Sequence, residues 1–124
     1  MLDVVGLNAW IPILEAALPA EQNGMLVRFS ADSGGVEMGV LPLDGAHPSD
    51  LLEGFEAPDD WCGLGIVTRG WAHPSRGPVI ATLLVDRGGN AAGRIVDEDS
   101  GVVLDGPASE GEVPRLLRAA LGVS

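Results

Sequence analysis

One cysteine and two histidines bound the reactive chemistry that this 124-residue chain can carry. Cys62, His73 and Asp59 are the residue types of a nucleophilic set, in which a base takes the proton from a thiol and a third group orients the base. Their spacing follows no hydrolase pattern, and no Gly-x-Ser-x-Gly elbow occurs. A zinc deaminase would need His-x-Glu with Pro-Cys-x-x-Cys, and neither run is present. His47, Cys62 and His73, with Asp59 or Asp60, are possible zinc ligands by type, but no pair has Cys-x-x-Cys, His-x-His or His-Glu-x-x-His spacing. The sequence therefore predicts no catalytic residue, no metal site and no cofactor. A small hydrolase using Cys62 or His73 stands as the catalytic alternative.

Other chemistry-bearing patterns have structural explanations. Gly63-Leu64-Gly65 opens a strand and does not join a strand to a helix, so it fails the context test for a phosphate loop. Ser33-Gly34-Gly35 and Gly88-Gly89-Asn90 read as hairpin turns. Asp97-Glu98-Asp99 lacks the later glutamate of a calcium loop and reads as a solvated turn.

The tryptophans carry the strongest signal. Trp10, Trp61 and Trp71 stand beside two phenylalanines and no tyrosine. Tryptophan buries a large surface at low entropy cost, in cores and at interface hot spots alike. Trp61 and Trp71 flank one predicted strand, with Thr68 and Arg69 inside it and His73 just beyond. Trp61, Thr68, Arg69, Trp71 and His73 are the candidate partner- or ligand-binding residues.

Charge narrows the partners. Eighteen acids against seven bases, all arginine, give a formal net charge of -11. Contacts to nucleic acid or anionic lipid rest on cationic side chains, so neither partner is expected. An acidic surface favours solubility and a basic protein partner. A lone cysteine permits no internal disulfide and fits a reducing, cytoplasmic compartment. The opening MLDVVGLNAW lacks the basic start of a secretory signal, and no apolar run approaches membrane-spanning length.

The elements that must position these residues follow from periodicity. Trp10, Ile13, Leu14, Ala17 and Leu18 recur at helical spacing after a capping Asn8, with Pro12 in the first turn and Leu2 to Val5 as a backward extension or arm. Met25–Ser30 and Val36–Leu43 alternate about Asp32-Ser33-Gly34-Gly35, an antiparallel hairpin. His47-Pro48-Ser49-Asp50 opens a short helix. Gly63–Ala72, apolar on both faces, reads as a central strand; Pro78–Asp86 and Ala91–Val96 complete a meander. Asp97–Asp105 reads as a short edge strand or a loop. Ser109 and Glu112 have capping-box spacing, with Pro114 able to delay the start, and Val113, Leu116, Leu117, Ala120 and Leu121 form the face of a last helix ended by Gly122.

The expected fold is one α+β domain over 1–124: a five-stranded, mainly antiparallel sheet with N- and C-terminal helices and a short middle helix, the helices mainly on one face. The order α-β-β-α-β-β-β-α resembles the profilin-like group, which includes roadblock, GAF and PAS domains. The runs PDDWCGLGIVTRGWA and VPRLLRAALGV are similar to small acidic domains of high-GC bacteria. Together these lead us to expect a non-catalytic regulatory or protein-interaction domain that self-associates as a homo-oligomer or binds a protein partner. The resemblance to GAF and PAS domains implies a second role, a small-molecule sensor with Thr68, Arg69, Trp71 or His73 as polar anchors.

Overall fold

The computed structural model describes residues 4–19, 22–32, 35–44, 48–71, 78–105 and 112–122. The chain forms α1 (Val4–Ala17), β1 (Gly24–Asp32), β2 (Gly35–Pro42), α2 (Pro48–Leu52), β3 (Trp61–Trp71), β4 (Pro78–Asp86), β5 (Ala91–Asp97), β6 (Val103–Asp105) and α3 (Glu112–Ala120). This is the expected α+β architecture, with the three-residue β6 added at one edge. The strands make a single antiparallel sheet in the order β2-β1-β3-β4-β5-β6, so β3 is central and β2 is an edge.

Both faces of the sheet are covered, because each central strand is apolar on both sides. Cross-strand partners share a face. Met25, Val27, Phe29, Val67, Ile80, Leu84, Ala92 and Val96 pack under Leu7, Ile11, Leu14 and Leu18 of α1 and the turn after it. Leu26, Leu64, Ile66, Leu83 and Val85 point the other way, toward Leu52 of α2 and Leu117, Ala120 and Leu121 at α3. The helices are therefore divided between the faces, where the sequence suggested one side. The alternation decides this: Val67 and Leu84 need a cover as much as Ile66 and Leu83 do.

The first helix runs back to Val4, as the backward extension implied, but differs in its cap and buried face. Asn8 lies inside it, and Pro12 is internal, where it removes one helical hydrogen bond. The buried stripe is Leu7, Ile11, Leu14 and Leu18, whereas Ile13 is 53% exposed. The last helix ends as expected, while the Ser109 cap lies outside the described residues. Gly122 has φ +76°, the left-handed conformation of a residue just past a helix end, and donates its N–H to the Ala119 carbonyl at 3.0 Å. No helix among the described residues is long and apolar enough to cross a membrane.

Candidate functional site

A bulge decides where Trp61 points. Phe29 pairs with Gly63, but Ser30 pairs with Trp61, so Cys62 is an extra residue in β3. Bulges re-aim side chains. Simple alternation would place Trp61 on the α1 face with Gly63 and Gly65. The extra residue turns it to the opposite face, where it packs at the margin of the core formed with α2 and α3. Its ring centroid is 5.7 Å from that of Phe55, and the Arg28 Cζ lies 5.9 Å from the ring centroid, within cation–π range.

Cys62 itself packs, half-buried, against the core under α1. Burial pushes its thiol above the ordinary value, and the nearby Asp86 charge adds to that. Asp86 is buried, but its carboxylate is used in the β4–β5 turn. Oδ1 accepts the Asn90 backbone N–H at 2.9 Å and Oδ2 accepts the Asn90 Nδ2–H at 3.1 Å. The Cys62 environment stabilises the neutral thiol, the opposite of what a nucleophile needs.

Thr68 and Arg69 are successive residues of β3 and so face opposite ways. Thr68 Cγ2 borders Gly24 and Leu43 on the α2 and α3 side. The Arg69 guanidinium lies on the α1 side, pairs with Glu98, and donates to the carbonyls of Pro19 (3.0 Å) and Gln22. Its backbone N–H donates to Asn23 at 2.7 Å. Arg69 thus ties the α1–β1 connection to the centre of the sheet. Trp71 pairs with Pro78 at the end of β3. The Trp71 side chain, His73 and His47 lie outside the described residues. Of the three candidates whose side chains are described, Trp61 and Thr68 share a face and Arg69 faces the other. Among the described residues no three His, Cys, Asp or Glu side chains come together as metal ligands.

Arg87 plays the same tying role at the other end of the sheet. It donates to the carbonyls of Trp61, Leu121 and Pro58, the last at 2.7 Å, and its backbone N–H reaches Cys62 O at 3.1 Å. A cleft of about 220 Å³ beside it is bordered by Glu56, Asp59 and Gly122, but the guanidinium is spent on backbone carbonyls.

The surface that sequence reading missed lies on β1 and β2. On the Trp61 side, α3 packs over β4 and α2 packs against α3, and among the described residues neither helix packs extensively on β2. A shallow depression of about 260 Å³ runs across it, lined by Leu26, Arg28, Gly39, Val40, Leu41 and Trp61. Val40 is 51% and Leu41 57% exposed, on opposite faces of the edge strand. The Arg28 guanidinium lies over Gly39, where an added Cβ would stand 2.8 Å from it, and donates to Ser30 Oγ at 3.0 Å. The signal was in the sequence: V-E-M-G-V-L-P has apolar residues at both parities and no lysine. Known protein families, curated proteins and solved structures offer no match to the chain.

Proposed function

We propose that this chain is a non-catalytic protein-interaction domain of regulatory type that recruits a partner strand to the β2 edge, with the Arg28–Leu41–Trp61 surface as the flanking contact. One observation carries this reading. The eight-residue β2 is an edge of the sheet, and its Val40 and Leu41 are exposed on opposite faces. An edge strand presents a row of unpaired backbone donors and acceptors, and monomeric proteins blunt such edges with charged side chains, lysine above all, bulges, proline or very short strands; the one charge on β2 is Glu37. Here β2 pairs with β1 in unbroken register from Gly35 to Pro42, its only proline is its last residue, and no lysine exists in the chain. Recognition by strand addition gives affinity through the backbone and specificity through alternate side chains. The half-burial of Cys62 raises the pKa of its thiol and disfavours the thiolate, which supports a role without covalent chemistry. A reducing, cytoplasmic setting fits the lone cysteine.

Sedimentation velocity on the purified protein tests the reading. Leu41→Lys places a charge on the bare face of the edge and should abolish association, with an unchanged circular dichroism spectrum. Association that survives this change would move the contact elsewhere and end the proposal.

A further inference from the structure

We infer that the occupant of the β2 edge is a second copy of this chain, added antiparallel about a two-fold axis through Met38. This rests on the reading of β2 as the contact edge and supplies its partner and register. Charge complementarity across the edge selects this occupant. Arg28 is held over Gly39, toward the outer side of the hairpin, because Gly39 has no side chain to exclude it. Among the described residues its guanidinium meets a hydroxyl and an aromatic ring but no carboxylate. Glu37 is the one ionisable residue of β2, is exposed, and stands on the same face two residues away.

A two-fold axis at Met38 sets Glu37 of each copy directly opposite Gly39 of the other. Opposed Cβ positions in an antiparallel pair are about 4.5–5.5 Å apart. Beyond that Cβ a glutamate carries one methylene and its carboxylate, enough to bring the carboxylate to the guanidinium above the facing Gly39. Two symmetric Glu37–Arg28 pairs result, as an isologous interface requires. Shifting the axis to Gly39 would instead set Glu37 against Leu41, and charge would be wasted on an apolar side chain. The two sheets would join into one, with Val40 and Leu41 beside the partner strand. The net charge of -11 on each copy opposes association at long range. Salt screens that repulsion beyond about 8 Å at 0.15 M, so the dimer belongs to physiological salt and not to very dilute buffer.

Charge reversal in the full chain tests the register. Arg28→Glu alone gives four carboxylates and Glu37→Arg alone gives four guanidiniums at the seam, so each variant should weaken dimerisation by about ten-fold or more. An equimolar mixture of the two variants restores both pairs and should form the dimer again, which also demonstrates that each variant is folded. Wild-type protein that stays monomeric at physiological salt up to high concentration overturns the second copy. The strand-addition reading then survives for a foreign strand, provided Leu41→Lys still abolishes partner binding. A wild-type dimer indifferent to both reversals, with mixing of no effect, overturns this register, and a dimer also indifferent to Leu41→Lys overturns the edge reading with it.

Discussion

The guanidinium of Arg28 occupies the space that any side chain at residue 39 would need: a Cβ built on Gly39 falls 2.8 Å from Cζ, Nε and one terminal nitrogen of Arg28. This glycine seats a cation at the open edge of the sheet, next to the face of Trp61. Gly39→Ala should therefore push the guanidinium aside. The displaced group is the far end of a flexible side chain, so we expect a stability change of no more than about 0.5 kcal/mol, as for an ordinary surface position. Association should weaken clearly all the same. Thermal melts paired with sedimentation separate the two effects.

Thr82 offers a stability test on the opposite face. Its side chain is 3% exposed, between Val67 on β3 and Arg94 on β5, and its hydroxyl meets no partner among the described residues. A buried hydroxyl without a partner costs free energy that an apolar isostere does not. Thr82→Val should leave the protein as stable as before or more stable by about 1 kcal/mol. Denaturant unfolding with an unchanged m value measures it.

Arg69 and Arg87 act as staples, and each joins a connection to the sheet through several carbonyls. Hydrogen bonds from a charged donor contribute about 1.5–3 kcal/mol, and partial exposure of both sites argues for the low end. Arg87→Ala should lower stability by about 1–2 kcal/mol on that scale. Arg87→Lys should recover little, since an ammonium does not span the same fork. The loss of Arg87 should also loosen the end of α3, read as faster hydrogen exchange at Leu121 and Gly122.

Cys62 should be slow toward thiol reagents at neutral pH and become fast on unfolding. The cause is burial, which raises the pKa of the folded thiol. The sign for stability follows from linkage. The unfolded thiol ionises first, so stability is full below the ordinary thiol range and falls as pH rises through that range toward the folded value. A native protein that reacts at the rate of a free thiol would revive Cys62 as a nucleophile.

Much of the fold was legible because this sheet is built by strict alternation. Pro78–Asp86 is a strand over the whole span its residues indicated, and Leu117, Ala120 and Leu121 form the buried side of α3 as their spacing required. Less was legible where one residue changes parity. Cys62 has no sequence mark as a bulge, yet it moves Trp61 from the face of Phe29 to the face of Leu64. The distribution of helices was hidden for a related reason: Val67 and Leu84 look like ordinary central-strand residues until the register puts them together beneath α1. Gly65 was readable as a structural glycine and not a ligand loop, and its added Cβ would lie 2.7 Å from the Leu83 carbonyl and nearer still to the Leu84 side chain. Arg69 stood among the binding candidates because nothing local in the sequence places Pro19, Gln22 and Glu98 around it.

Hydrogen exchange across β2, followed as a function of protein concentration at physiological salt, tests the central claim most directly. If the edge pairs with a second copy, the amides between Val36 and Leu41 that do not already bond to β1 gain protection as concentration rises, while those of the already paired β4 do not change. Protection in β2 that is independent of concentration, in a protein that nevertheless self-associates, would contradict the account.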